Sequence, residues 1–176
     1  MSSEPSERPE RAECDPFYWT YVDKVPEGDI LSILEQATAG TRALLDGLPE
    51  DKETWAYEEG KWTVREVLGH MIDAERVFGF RALWFARGVD SELPGMDQDD
   101  FAAHNRAGEI AVADLLDELA STRASHIAML RGLGEDAWMR EGVASGCKFT
   151  VRALATIMAG HELHHQQVLR DRYLAG

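Results

Sequence analysis

Apolar residues recur every three or four positions in four long segments of the chain, and this periodicity limits the possible fold more than any other feature. The segments are residues 29–48, 61–88, 111–134 and 149–174. The second begins with a capping box formed by Thr63 and Glu66, and it ends at Gly88. Helices of about 20 to 25 residues are roughly 30 to 37 Å long. No stretch shows sustained β alternation bounded by hairpin turns. The pattern therefore predicts an all-α fold, a four-helix bundle with long connections.

The remaining segments predict one domain that follows a short tail. Residues 1–15 are rich in Ser, Glu, Pro and Arg, so we expect them to be disordered. Residues 16–29, "PFYWTYVDKVPEGD", are dense in aromatics and should pack on the domain formed by residues 16–176. A less favoured alternative is that Tyr18, Trp19 and Tyr21 cover a pocket. The long connection 89–109 should contain one helical turn, at Asp99 to Ala103.

Charge and cysteine content exclude several classes of function. The net charge of −14 argues against nucleic acid and against an anionic membrane surface, because both require a basic face. Cys14 and Cys147 lie far apart and form no C-x-x-C pair, which favours a reduced, cytoplasmic protein without disulfides. The N-terminus has no apolar core typical of a secretory signal, and no apolar run approaches the roughly 18 residues of a membrane span.

The last helical segment carries three histidines within "AGHELHHQQVL", residues 159–169. At 100° per residue, His161 and His165 fall inside the apolar stripe of that helix, whereas His164 falls on its margin. His70, on the second helix, lies at the edge of its apolar arc and close to the phase of His161. Three unpaired buried imidazoles would be costly, but one divalent cation satisfies them together. A metal site formed by His70, His161 and His165 is therefore favoured over histidines that merely pack in the core.

The same stretch matches the protease motif H-E-x-x-H at His161, Glu162 and His165. Such proteases take a third ligand that usually lies downstream, yet the eleven residues after His165 contain no His or Glu. The sequence therefore disfavours a protease and indicates a third ligand upstream. Glu162 remains open as either a base or a partner of the ligands.

A short internal repeat links the second and fourth helices. "KWTVR" at residues 61–65 recurs as "KFTVR" at residues 148–152, and an alignment on Thr63 and Thr150 also pairs Glu75 with Glu162. Similar capping requirements or chance could produce so short a match. Taken as a repeat, it predicts that the two helices occupy equivalent places in the bundle and share one interior.

The segments "KWTVREVLGHMIDAER", "LPGMDQDDF" and "GHELHHQQVLRDRYL" resemble the DinB-like (YfiT-like) metalloenzyme superfamily. The resemblance covers about residues 16–174 and implies a four-helix bundle of that type. It also implies a divalent metal, zinc or nickel, held by His70, His161 and His165, and a homodimer. The expected activity is that of a thiol-dependent S-transferase or of a hydrolase. The expected partner is a small-molecule substrate, with a low-molecular-weight thiol as one candidate.

The resemblance leaves the roles of the surrounding charged residues open. Asp73, Glu75 and Glu162 are candidates to orient the imidazole N–H groups, although ion pairs with nearby arginines are favoured for Asp73 and Glu75. Arg76 and Arg81 could contact the carboxylates of an anionic thiol.

A different class of function also fits the sequence, a non-catalytic, stress-related protein with a structural metal. His126 or Glu75 would then complete a closed, four-ligand shell. Otherwise His104 and His126 are expected to be ordinary structural or surface residues. Cys147 is expected to be incidental, although it lies just before a helix N-terminus.

Overall fold

In the computed structural model, residues 7–175 are described, and most of them are helical. The helices are α1 (Trp19–Val22), α2 (Ile30–Leu45), α3 (Glu50–Glu53), α4 (Val64–Ala86), α5 (Gln98–His104), α6 (Val112–Arg131), α7 (Glu135–Trp138) and α8 (Val151–Val168). A π-helical turn, Leu169–Tyr173, extends α8. The four predicted long helices are confirmed as α2, α4, α6 and α8. The single turn expected in the long connection is α5. No helix within residues 7–175 is both long and apolar enough to cross a membrane.

The four long helices form the bundle. α4 packs against α6 and α8, and α2 packs against the same two helices. Helices α2 and α4 therefore lie across the bundle from each other, and both contact α8. Thr63 and Glu66 form the capping box predicted for α4. At the beginning of α8 the Thr150 side chain accepts a hydrogen bond from Ala153 N.

A polar layer divides the apolar core of the bundle into two clusters. On α6 one cluster ends at Leu119 and the other begins at Ile127, and on α8 the boundary runs between Ala159 and Leu169. The residues of this layer come from all four helices: Thr38, Thr41, His70, Glu75, Arg123, His126, His161, Glu162, His165 and Gln166. Polar side chains at this depth require partners or a ligand.

The connection before α8 contains a β-hairpin that the sequence analysis did not predict. Strands β1 (Glu141–Ala144) and β2 (Cys147–Thr150) are antiparallel, with Glu141 opposite Thr150. Ser145 and Gly146 form the turn with positive φ of 56° and 70°. Four residues per strand are too few for alternation to be recognised, and β2 overlaps the beginning of the predicted fourth helix.

The expectation of a disordered tail is corrected for residues 7–15, whereas residues 1–6 lie outside the described residues. Arg11–Glu13 forms a short 3-10 helix, and Cys14 pairs with Phe149 of β2. Glu13 is buried, where it accepts hydrogen bonds from Thr150 Oγ1 at 2.7 Å and from Arg152 Nε at 3.1 Å. This buried ion pair with the beginning of α8 fixes a segment whose composition alone indicates disorder.

Candidate metal centre

The structure brings His70 of α4 together with His161 and His165 of α8. The Nε2 atoms of His70 and His161 lie 3.1 Å apart, and those of His165 and His161 lie 3.2 Å apart. One nitrogen from each of the three rings lies within 4.8 Å of the other two. His161 and His165 are one helical turn apart, so both face the same side of α8, towards His70. The positions of these three histidines around their helices had predicted that they converge in the bundle interior.

The three imidazoles are neutral and therefore have lone pairs available for a cation. Burial lowers the pKa of His70 to about 4 and that of His165 to about 3. Burial likewise holds the pKa of His161 well below its usual range, and the other histidines add to this effect. Only a neutral imidazole can ligate a metal. At neutral pH the cluster therefore presents ligands without having to release protons.

Aromatic packing holds these rings in place. Trp62 lies 5.0 Å from His70 between ring centres, and Tyr21 lies 5.3 Å from His161. The outer nitrogens, Nδ1 of His70 and of His165, are buried and have no hydrogen-bond partner within residues 7–175. Asp73, Glu75 and Glu162 were the carboxylates expected from the sequence as candidates to orient the imidazole N–H groups. Those carboxylates have other partners instead.

Glu75 and Glu162 both contact Arg123 of α6. Arg123 donates to Glu75 through Nε at 2.8 Å and Nη2 at 2.9 Å, and its Nη1 lies 2.8 Å from Glu162. His126 Nδ1 lies 2.9 Å from the same Glu75 carboxylate. The two glutamates matched by the internal repeat thus meet on one guanidinium. Asp73 instead accepts a hydrogen bond from Asn105.

Burial alone would raise the pKa of Glu75, but the Arg123 guanidinium and the His126 ring outweigh it and hold the pKa at about 2. For Glu162 burial prevails over Arg123 and Thr41, so its pKa lies above the ordinary value. Glu75 receives two hydrogen bonds from Arg123 and contacts His126. Glu162 lies against one guanidinium nitrogen, so the two pKa values move in opposite directions. Arg123, Glu75 and Glu162 therefore form a closed, internally paired cluster.

Cavities reach the histidines from two sides. A cavity of about 410 Å³ is lined by His70, His161, Tyr18, Tyr21 and Arg81, and one of about 290 Å³ is lined by His165, Trp62 and Tyr173. Gln98 and Asp99, at the beginning of α5, line both. A small molecule in the larger cavity would therefore contact the histidine cluster directly.

The aromatic segment before α2 covers the larger cavity. The predicted packing of this segment on the domain takes the form of α1 against α8, and a Cβ at Gly160 would lie only 2.2 Å from Tyr21 O. Gly160 therefore allows α1 to lie directly on α8 and brings Tyr21 against His161. Tyr18 and Tyr21 line the cavity, whereas Trp19 is buried under the Arg11 guanidinium, 3.7 Å from its ring centre.

The other sequence candidates lie outside the cluster. His164 packs beside Tyr21 and His165, His104 is exposed on α5, and His126 belongs to the cluster around Arg123. Arg76 pairs with Glu118 at the surface, but Arg81 is buried and lines the larger cavity.

Gln98 and Asp99 lie beside the site, although the sequence did not indicate them. The only signal available was their position in "LPGMDQDDF", one of the segments that carries the family resemblance.

Comparisons with known proteins agree with this architecture. The family model described as the DinB superfamily matches residues 33–169, and the chain belongs to this superfamily. A solved structure of YfiT from Bacillus subtilis is similar, with a TM-score of 0.70 at 16% identity, covering 94% of this chain and 93% of that one. That structure is described as "a probable metal-dependent hydrolase with an unusual four-helix bundle topology". The comparison with curated proteins gave no match.

The histidine cluster fits a divalent metal ion. In tetrahedral zinc sites the metal–nitrogen bonds are about 2.0 to 2.1 Å, which places neighbouring nitrogens about 3.3 to 3.4 Å apart. The observed separations of 3.1 and 3.2 Å are close to this spacing. Three neutral imidazoles are also the ligand set of a catalytic zinc site that leaves one position open. Two of the three nitrogen separations therefore match a tetrahedral site, and the third pair lies within 4.8 Å.

Proposed function

We propose that this chain is a metal-dependent enzyme in which His70, His161 and His165 bind a divalent ion, zinc or nickel, and that it hydrolyses a small molecule. The observation that carries the proposal is the convergence of three neutral imidazole nitrogens on the wall of a cavity. When bound there, such an ion would lower the pKa of a coordinated water and polarise a substrate carbonyl. The description of YfiT as a probable metal-dependent hydrolase supports the choice of reaction.

The residues around the cluster supply the rest of the site. Asp99 is the carboxylate that lines both cavities, and burial lowers the pKa of His70 while the charge of Asp99 opposes part of that lowering. We assign Asp99 the role of general base, which accepts a proton from the attacking nucleophile. Tyr18, Tyr21 and Phe78 form apolar walls that would exclude bulk water from the reacting atoms.

A catalytic centre accounts for the surroundings better than a structural metal does. A structural site needs a fourth protein ligand, and the sequence offered Glu75 or His126 for that position. Both are committed to the cluster around Arg123, and neither belongs to the histidine group. The cluster is also reached by two cavities. A fourth position open to a substrate follows from this arrangement.

The experiment is a hydrolase screen with the zinc-loaded and nickel-loaded protein, using a panel of small esters, amides and lactones. Activity should require the metal and should fall at least about 100-fold in His165→Ala. The matched control is His164→Ala, because His164 precedes His165 on the same helix and lies outside the cluster. Asp99→Asn should lower kcat about 10²-fold while metal content stays at the wild-type level.

A thiol nucleophile in place of water is the second reaction that the same centre supports, since a metal also deprotonates a bound thiol. The screen therefore includes S-transfer from bacillithiol, mycothiol, coenzyme A and glutathione to an electrophile. Turnover only with a thiol would reassign the reaction to the transferase class. A protein that binds the metal but turns over neither set would support the structural role.

A further inference from the structure

Arg81 is buried in the wall of the larger cavity without a carboxylate partner. Its exposed fraction is 3%. Within residues 7–175 its Nη2 donates to Pro94 O at 3.2 Å, the Tyr18 phenol is a second and uncharged partner, and no carboxylate forms an ion pair with it. A guanidinium has five N–H donors. Most N–H donors of this buried guanidinium therefore have no acceptor within this part of the chain.

The other two buried arginines show how unusual this is for the molecule. Arg123 contacts the carboxylates of Glu75 and Glu162, and Arg152 contacts that of Glu13. Buried charges are normally paired, because an isolated one costs several kcal/mol or more in desolvation. Arg123 and Arg152 obey this rule through partners in the chain. Arg81 lines a cavity, so its anionic partner would be a molecule bound in that cavity.

The larger cavity runs along one face of α4 between the histidine cluster and Arg81. His70, Ala74, Phe78 and Arg81 all line it. The interval from His70 to Arg81 is eleven residues, which is three helical turns or about 16 Å between Cα atoms. The Phe78 ring lies between the two ends, 5.9 Å from the His161 ring and 5.8 Å from the Arg81 guanidinium. The cavity thus has a reactive end, an apolar middle and a cationic end.

The acidic residues of the cavity do not neutralise its cationic end. The Asp97 carboxylate accepts hydrogen bonds from Asp99 N and Asp100 N as the N-cap of α5. Asp99 lines the second cavity as well and acts on His70, so it belongs to the histidine end. The Tyr18 phenol also contacts Arg81: burial raises the pKa of this phenol, and the charge of Arg81 and a hydrogen bond with it lower that pKa somewhat. A neutral phenol does not compensate the charge of the guanidinium.

We infer that the substrate is an elongated anion whose carboxylate, at the end remote from the reacting bond, binds Arg81. An apolar stem would contact Phe78, and the reacting group would lie at the histidine cluster. This inference rests on the proposed function and adds the class of substrate to it. Arg81 is then a specificity-determining residue, since a carboxylate forms a bidentate pair with a guanidinium.

Matched ligands test this without knowledge of the natural substrate. The probes are monohydroxamates of dicarboxylic acids with four, six and eight carbons, each compared with a hydroxamate in which a hydroxymethyl group replaces the carboxylate. The hydroxamate binds the metal in both series, so only the remote group differs. Isothermal titration of the zinc-loaded protein should show that the best acid binds at least about 10-fold more tightly than its neutral partner.

Two variants on the same helix locate the effect. Arg81→Met should abolish the preference for the acid and leave the affinity for the neutral probe within about 2-fold. Arg76→Met is the matched control, because Arg76 lies on α4 but forms its ion pair at the surface with Glu118. It should keep the full preference. The comparison of acid with neutral probe in the wild-type protein stands even if Arg81→Met fails to fold.

The outcomes separate this inference from the function on which it rests. Equal affinity of the acid and neutral probes in the wild-type protein, with binding that requires zinc, would overturn the role of Arg81 and leave the metal centre intact. A preference that survives in Arg81→Met would also overturn it. Binding that is the same with and without zinc would contradict the metal centre itself.

Discussion

Two clusters of buried titratable groups share the polar layer, and they differ in how their polar atoms are paired. Around Arg123, both carboxylates and the guanidinium have partners within the chain. In the histidine cluster, Nδ1 of His70 and of His165 has none within residues 7–175, and the three Nε2 atoms face one another. The first cluster is complete as the chain folds. A cation bound between the three Nε2 atoms of the second would supply the partner that these atoms lack within the described part of the chain.

The Arg123 cluster therefore has a structural role and the histidine cluster a ligand-binding role, although both lie in the same layer. A paired cluster adds to the stability of the native arrangement only as long as every member is present. A cluster of neutral ligands beside a cavity adds little until its ligand arrives, and then binding adds to the free energy of unfolding. The following predictions test whether the two clusters behave in these two ways, in order of expected effect.

Removal of the shared guanidinium should have the largest effect. Arg123→Met leaves Glu75 and Glu162 buried without their partner, and the free energy of unfolding should fall by about 3 to 5 kcal/mol. Urea denaturation of the metal-free protein measures it. The control Arg76→Met breaks an exposed pair with Glu118 and should cost about 0 to 1 kcal/mol. Similar losses in the two variants would contradict the structural role of the Arg123 cluster.

Acid should weaken the Arg123 cluster through Glu75. The pKa of this carboxyl is depressed to about 2 in the folded chain, so its contribution is present above the unfolded value, near 4.5. The contribution is lost as the pH falls from there through 2, and amounts to about 3 kcal/mol. Measurements at pH 7, 5 and 3 should show the difference between wild type and Glu75→Gln shrinking with acid. His70, His161 and His165 have no contact with Glu75, so their contributions cancel in this difference. A difference that is constant with pH would refute the assignment.

Metal should stabilise the fold through the histidine cluster alone. At a free zinc or nickel concentration 100 times its Kd, the free energy of unfolding should rise by about 2.7 kcal/mol. Thermal denaturation should show this gain in the wild type and in His104→Ala, whose ring is exposed on α5. His165→Ala should lose it. Equal gains in all three proteins would mean that the ion binds elsewhere.

The aromatic cover of the cavity should depend on Gly160. An added Cβ would lie 2.2 Å from Tyr21 O, so Gly160→Ala must displace α1 from α8. We expect a loss of about 1 to 3 kcal/mol in the free energy of unfolding and greater exposure of Tyr21. Hydrogen exchange of residues 17–25 reports the displacement. Unchanged exchange would show that α1 does not lie against Gly160. Gly47→Ala is the control without a steric clash, because a Cβ there has no neighbour within 4 Å. Its positive φ of 74° means that this control also loses stability through backbone strain, so hydrogen exchange of residues 17–25 is the readout to compare.

The sequence predicted those features that depend on local periodicity. The bounds of α4 and α8 follow from Thr63, Thr150 and the apolar spacing, and the phase of His70, His161 and His165 follows from the same helices. Helical geometry is regular, so a residue's direction can be calculated before the fold is known.

What the sequence did not predict depends on contacts between distant segments. Nothing near Arg123 indicates that it bridges Glu75 and Glu162, since its partners lie on two other helices. Glu13 is fixed by Arg152, 139 residues away. Asp99 approaches the histidines because the irregular connection before α5 folds back over α4, and such connections have no period from which a direction can be calculated.

Native mass spectrometry of the purified protein tests the central claim most directly, because it counts ions per chain. Wild type and His164→Ala should each carry one divalent ion per chain, whereas His165→Ala should carry none. The two variants differ by one position on α8, and only His165 belongs to the cluster. Retention of the ion by His165→Ala, or a wild-type chain that binds no ion when zinc or nickel is supplied, would contradict the assignment of His70, His161 and His165 as the metal centre.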